Sequence, residues 1–340
     1  MEQYIIDKDA LEKLFNTLRQ KESTVVAPIL RNNKIVYGVT ENFNDIQFDF
    51  IQTAQSAKEV TFPRNEKLFS YKKEKDSVTL QDIDTETIHN VVVWGTRPCD
   101  ALAGLPLKVV FNWDYKDKLF NTRLDKTTLI SFSCRQADEY CFCTSLGGDP
   151  GSTEGSDMLL SQLGDSKDYL VEIVTEKGKA VFDIAPDLFH KSEKNIEKKK
   201  YLANVPVRFQ PEEISKKLKA LIGSEVWVNQ SMRCLGCGAC AFVCPVCACF
   251  DIQDEMHGKN GVRVRCWDSC GFSLFTMHTS GHNPREVLSK RWRQRVLHKF
   301  SYMPERLSVY GCTGCGRCSR ACPADMNIVE HLISIQEERQ

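Results

Sequence analysis

Cys234-Leu235-Gly236-Cys237-Gly238-Ala239-Cys240-Ala241-Phe242-Val243-Cys244-Pro245 is matched further along the chain by Cys312-Thr313-Gly314-Cys315-Gly316-Arg317-Cys318-Ser319-Arg320-Ala321-Cys322-Pro323. Both stretches have the form Cys-x2-Cys-x2-Cys-x3-Cys-Pro, and together they take eight of the sixteen cysteines. The two-residue gaps let one tight loop set three thiolates around a common centre. Gly236, Gly238, Gly314 and Gly316 fall inside those loops, where a side chain would collide with the bound group and where a bare amide can donate to sulfur. The three-residue gap places Cys244 and Cys322 about one helical turn further on, facing away from their own loops.

This is the cysteine run of two-cluster ferredoxins, in which three close thiolates hold one [4Fe–4S] cube and the fourth reaches the other cube. That pattern implies two [4Fe–4S] clusters. If the ferredoxin crossover holds, the first takes Cys234, Cys237, Cys240 and Cys322, and the second takes Cys312, Cys315, Cys318 and Cys244. Structural zinc is the competing explanation, but zinc sites pair two Cys-x2-Cys knuckles set well apart rather than packing three cysteines into so short a run. The segment 246–311 is too long for a simple ferredoxin and reads as an insertion with structure of its own. Within it a helix is expected over Pro284–Phe300, capped by Asn283.

The 340 residues suit two domains, and the 45 basic and 45 acidic residues cancel. A neutral chain lacks the footprint of a general nucleic-acid binder. Met1–Lys21 is charged throughout, so no signal peptide is expected, and no run of about 18 apolar residues suggests a membrane span. Sixteen cysteines in such a chain point to metal ligation in a reducing cytoplasm rather than to disulfides.

Residues 1–225 read as an α/β or α+β domain, followed over 226–340 by a ferredoxin-like two-[4Fe–4S] domain with its insertion at 246–311. Leu11, Leu14, Phe15 and Leu18 recur at helical spacing. Thr24–Leu30 and Lys34–Val39 flank Arg31-Asn32-Asn33 as a hairpin. His89–Gly95 is a buried strand running into a helix that Asp100 would cap, and Thr127–Phe132 is a strand ending near Cys134. Tyr169–Thr175 and Lys179–Phe182 read as a second hairpin about Gly178. A helix over Pro211–Ile222 precedes the boundary. The lysine-rich stretch Lys191–Lys200 reads as a solvated face.

Cys99, Cys134, Cys141 and Cys143 form a second set. Strand ends on one edge of a sheet can converge, which makes these four candidates for a third iron–sulfur cluster; the alternative is buried idle thiols. Cys247, Cys249, Cys266 and Cys270 could ligate a further metal or pack around the cubes as shielding thiols, and packing is the expectation because the motif cysteines already fill two clusters. Arg285, Lys290, Arg291, Arg293, Arg295 and Lys299 make the insertion's helix basic, and cations there would balance anionic cubes. His278, His282 and His298 receive no role. Neither Gly-x-Gly-x-x-Gly after a strand nor a P-loop occurs, so no nicotinamide, flavin or ATP site is expected within the chain.

Arg97-Pro98-Cys99-Asp100-Ala101, Cys141-Phe142-Cys143, Cys244-Pro245-Val246-Cys247-Ala248-Cys249-Phe250, Trp267-Asp268-Ser269-Cys270, Gly281-His282-Asn283-Pro284-Arg285 and the run Arg291–Phe300 resemble, as a set, the iron–sulfur β subunit of sulfhydrogenases and related soluble [NiFe] hydrogenases. That family is similar to the iron–sulfur electron-transfer subunit of anaerobic sulfite reductase. The resemblance implies an electron conduit beside a partner carrying flavin, a [2Fe–2S] cluster and the NAD(P)H site. The catalytic metal, nickel–iron or siroheme, would belong to other subunits, and a soluble hydrogenase is the first expectation. The alternatives are a component of a sulfite reductase, an enzyme with a reactive cluster or thiol pair at Cys141-x-Cys143, and a stand-alone carrier. Complete cysteine runs offer no open iron, which favours the conduit.

Overall fold

A computed structural model describes residues 3–21, 24–192 and 195–338. An eight-stranded mixed sheet organises the first half. Its strands are β1 (Gln3–Asp7), β2 (Thr24–Arg31), β3 (Lys34–Val39), β6 (Val91–Thr96), β7 (Thr127–Phe132), β8 (Met158–Gln162), β9 (Asp168–Ile173) and β10 (His190–Lys191), in the order β10-β1-β9-β8-β7-β6-β2-β3. The middle pairs β2–β6, β6–β7 and β7–β8 are parallel and the outer pairs antiparallel. Parallel strands are buried on both faces, which is why β6 reads Val-Val-Val-Trp without alternation. The helix Lys8–Gln20, capped by Asp7 accepting from the Ala10 amide, lays Leu11, Leu14, Phe15 and Leu18 on this sheet against Trp94.

The first hairpin is present: β2 and β3 pair around Asn32 and Asn33, both left-handed at φ 50° and 57°, as a tight turn requires. The second is not. Glu176–Ile184 is a helix with Thr175 as its cap, and Gly178 serves close packing, since a Cβ there would sit 1.9 Å from the Asp157 carbonyl. The helix after β6 spans Pro98–Leu102 with Arg97 as its boundary residue; Asp100, expected as the cap, is instead buried in an ion pair. The insertion's helix spans Leu288–Leu297, continues as a π-helical turn over His298–Tyr302, and ends with Met303–Leu307. It starts later than expected because Asn283 Oδ1 is taken by Thr276 and by the Arg285 amide in the preceding loop. The lysine-rich stretch is not wholly solvated either: Lys198 Nζ donates to the Gly151 carbonyl and pairs with Glu172 at 2.6 Å.

A second, four-stranded sheet has the order β11-β12-β4-β5, with β4 Asn65–Lys73, β5 Val78–Asp82, β11 Phe250–His257 and β12 Asn260–Trp267. β12 pairs with β4, so this sheet draws strands from both sides of the boundary expected near residue 225. Buried Arg265 on β12 bonds Glu66 on β4 and Asp117, and Glu66 also holds Arg123 at 2.9 Å. A second core joins the helices Pro211–Ala220, Val226–Ser231, Leu288–Leu297 and Ile328–Glu337 through Trp227, Trp292, Val296 and Leu332. Among the described residues no helix is long and apolar enough to cross a membrane.

Candidate metal centres

Cys234, Cys237, Cys240, Cys318 and Cys322 line one cavity. Gly236 and Gly238 are left-handed at φ 65° and 74°, which folds the loop tightly and leads into the short helix Ala239–Phe242. The Gly236 amide lies 3.4 Å from Cys234 Sγ, and the Gly314 amide 3.5 Å from Cys312 Sγ, so amide donation to sulfur occurs in both loops. Cys237 is exposed, beside exposed Leu235 and Met232.

Cys244, Cys312, Cys315 and Cys318 line a second cavity. Each fourth cysteine is thus found with the opposite loop: Cys322 with the Cys234 loop, Cys244 with the Cys312 loop. Burial pushes the Cys240 thiol up to about 11 and the Cys312 thiol up to about 12. The empty polypeptide would therefore keep these protons, and a metal must displace them to gain thiolates.

The cations of the Leu288–Leu297 helix are divided between surface and interior. Lys290 pairs with Glu286 at the surface, and Arg293 donates to the Ile222 carbonyl. Arg291, Arg295 and Lys299 recur at four-residue spacing, which puts them on one side of the helix. Arg291 and Arg295 line the first cavity; Arg295 and Lys299 line the second. Arg295 and Lys299 are each 5% exposed, and Lys299 Nζ lies 3.4 Å from Cys244 Sγ while donating to the Gly311 carbonyl.

Arg317, inside the second loop, forms a buried two-pronged pair with Asp100 and donates to the Thr53 carbonyl and hydroxyl at 2.9 and 2.7 Å. The Tyr37 hydroxyl donates to the same carboxylate at 3.1 Å. This anchor was missed because Arg317 reads as a spacer between cysteines and Asp100 as a cap. Gly314 and Gly316 are required for a neighbouring reason: a Cβ on either would strike the Tyr140–Cys143 backbone, and the Phe142 amide donates to the Gly314 carbonyl at 2.9 Å.

The second loop therefore rests on the segment that carries Cys141 and Cys143. Cys99 follows β6, Cys134 follows β7, and both lie at the carboxyl ends of parallel strands. Burial pushes the Cys143 thiol up to about 12, with Cys134 and Cys141 adding to the push. Cys99, raised well above its ordinary value by burial, feels Asp100 and then Cys315 and Cys134. None of the four lines a motif cavity, although Phe142, between Cys141 and Cys143, lines the second. Gln52 donates to Cys99 Sγ at 2.8 Å and Arg320 to Cys141 Sγ at 3.2 Å.

Of the remaining four, Cys247, Cys249 and Cys270 line a third cavity and Cys266 does not. The neighbouring Cys247, with burial, pushes the Cys244 thiol up to about 12, and Cys244 in turn lowers Cys247; Cys249 and Cys270 shift each other in the same opposed way. Among the described residues no three His, Cys, Asp or Glu side chains converge on the point a single ion would occupy. A cube carries its irons at its corners and needs its ligands spread around a cavity. The two motif cavities fit that demand: five thiols line the first and four the second, Cys318 being common to both, with glycine amides near sulfur and buried cations to balance an anionic thiolate cluster.

Residues 233–326 match the family model described as a 4Fe-4S dicluster domain. The chain is 29% identical over 336 residues to sulfhydrogenase 2 subunit beta of Pyrococcus furiosus, covering 96% of each protein. The chain thus contains a 4Fe-4S dicluster domain and resembles, over nearly all of its length, a sulfhydrogenase β subunit.

Proposed function

We propose that this chain is the electron-transfer subunit of a multi-subunit oxidoreductase, relaying electrons between a flavin-bearing, NAD(P)H-linked partner and a catalytic subunit of the soluble [NiFe] hydrogenase type. Cys234, Cys237, Cys240 and Cys322 hold one cube; Cys312, Cys315, Cys318 and Cys244 hold the other. The observation that carries this is the adjacency of the two cysteine cavities, which share Cys318 and Arg295 while the first reaches the surface at Cys237. A bound [4Fe–4S] cube supplies one-electron chemistry. The residues do the rest: the loops fix the distance between the sites, and Trp292, Ile328 and Phe142 exclude water from their walls. Cys99, Cys134, Cys141 and Cys143 hold a further cluster, a reading supported by the place of Cys99 and Cys134 after adjacent parallel strands and by the contact of the Cys141–Cys143 segment with the Cys312 loop. Leu235 and Met232, exposed next to Cys237, mark the edge where a partner protein would meet the first cube.

A nicotinamide delivers two electrons together, and a flavin is needed to divide them between one-electron carriers. The purified chain is therefore expected to take electrons from dithionite but not from NADH or NADPH until its flavoprotein partner is added. Rapid reduction by the nicotinamide without a partner would overturn this assignment.

Lys299 places a buried positive charge at Cys244 and Cys312. Adding an electron makes the cluster more negative, so this charge stabilises the reduced form. Lys299→Met is expected to lower the reduction potential of the second cube and to leave the first nearer its original value. An EPR-monitored redox titration checks it; an unchanged potential would contradict the role.

A further inference from the structure

Arg295 and Lys299 line one more cavity, together with Cys247, Cys249, Cys270 and His298. It encloses about 110 Å³, against about 50 Å³ at the first motif and about 10 Å³ at the second. The β11–β12 hairpin builds it. Phe250 pairs with Trp267 at the open end of the hairpin, and the Asp268 amide donates to the Cys249 carbonyl at 3.0 Å. That register sets Cys249, just before β11, beside the loop after β12 that carries Cys270. Cys247 enters from the turn that follows Pro245.

The charge around this cavity is unbalanced in a specific sense. Lys58, only 6% exposed, comes from the N-terminal half and does not line this cavity; it donates to the Cys247 carbonyl at 2.8 Å and lies 3.8 Å from the centre of the Trp267 ring. The acidic groups facing it are Cys247, Cys244 and Cys249. Those facing Arg295 are Cys240, Cys247, Cys270 and Cys318, and those facing Lys299 include Cys244, Cys247 and Cys312. Three buried cations thus look at sulfur rather than carboxylate. A buried cation is costly unless an anion offsets it, and neutral thiols do not. Arg295 and Lys299 also line the motif cavities, whereas Lys58 lines none of the three and meets this one through the Cys247 carbonyl.

We propose that Cys247, Cys249 and Cys270 hold an additional [4Fe–4S] cluster in this cavity, with His298 at its mouth as the fourth ligand. The donors are soft thiolates plus one imidazole, arranged around a space rather than a point, and the anionic group they would bind meets Arg295 and Lys299 in the cavity wall, with Lys58 held at the Cys247 carbonyl. This cavity shares Arg295 and Lys299 with the second motif cavity, and Cys247 follows Cys244 by three residues, so the site is a neighbour of the second cube and would extend the conduit or branch it. Cys266, on β12 opposite Asp251, stays free. The proposal rests on the assignment of cubes to the two motifs.

The test uses the full chain purified anaerobically. The double variant Cys249→Ser/Cys270→Ser is expected to lose about four irons and four labile sulfides while both ferredoxin-type EPR signals of the motif cubes remain. Unchanged iron and sulfide would overturn the proposal. A variant that loses every cluster has misfolded, and the wild-type chain then decides. In the iron-loaded protein Cys247, Cys249 and Cys270 should resist alkylation, and should become reactive once a chelator strips the iron. Their alkylation while the eight motif cysteines stay protected overturns this site alone, whereas iron absent throughout overturns the motif assignment as well. Nitrogen coupling in pulsed EPR of the reduced chain, lost in His298→Ala, is expected for the imidazole ligand; no such coupling in the wild type removes His298 from the set.

Discussion

Cys244→Ala is expected to remove the cluster of the Cys312 loop and to leave the cluster of the Cys234 loop in place, although Cys244 belongs in sequence to the Cys234 run. Cys244 lines the second cavity with Cys312, Cys315 and Cys318, whereas Cys322 lines the first with Cys234, Cys237 and Cys240. A cube left with three thiolates loses iron readily. The reciprocal variant Cys322→Ala should spare the second cube and damage the first. Iron and sulfide analysis with EPR of each reduced variant separates the two patterns. Loss of the Cys234-loop signal in Cys244→Ala, with the other intact, would reject the crossed ligation.

Asp100→Ala should destabilise the protein by about 3–5 kcal/mol, the range for breaking a buried ion pair by removing one partner. Asp100 and Arg317 each have side chains 1% exposed. Removing the carboxylate leaves the guanidinium with only Thr53 as a partner and removes the acceptor of the Tyr37 hydroxyl. The damage should not be uniform. Arg317 sits between Cys315 and Cys318, so the second cluster should become labile before the eight-stranded sheet unfolds. Replacing both partners, as Asp100→Leu with Arg317→Met, should recover part of the loss because no charge is then stranded. Chemical denaturation followed by circular dichroism, alongside visible absorbance of the clusters, gives both quantities. A loss below about 1 kcal/mol would place this pair among the weak surface type.

The motif cysteines, their glycines and the first hairpin were legible because each depends on a local rule: fixed spacing, a left-handed turn, alternation along a strand. The same holds for Arg295 and Lys299, whose four-residue spacing already put them on one side of a helix. What was not legible depends on contacts between distant segments. Gly178 looked like a turn residue because a turn and a close backbone approach both ask for glycine, and only the Asp157 carbonyl tells them apart. Asp100 suits a cap by type, and only the position of Arg317 makes it an anchor. Lys58 carries no local signal at all; its role emerges when the β11–β12 hairpin pairs with β4 and brings Cys247 and Trp267 over it. Cys247, Cys249 and Cys270 have no ligand spacing of their own, since the hairpin, not the sequence interval, brings Cys249 and Cys270 together.

The most direct measurement is a stepwise reductive titration of the anaerobic full chain, followed by EPR with iron and acid-labile sulfide determined on the same sample. Two cubes in adjoining cavities should give at least about eight irons and eight sulfides per chain, and ferredoxin-type signals that broaden as the second cube is reduced beside the first. Stoichiometric zinc without a reduced-cluster signal, or reduced cubes that show no magnetic interaction, would contradict a conduit built from the paired cysteine runs.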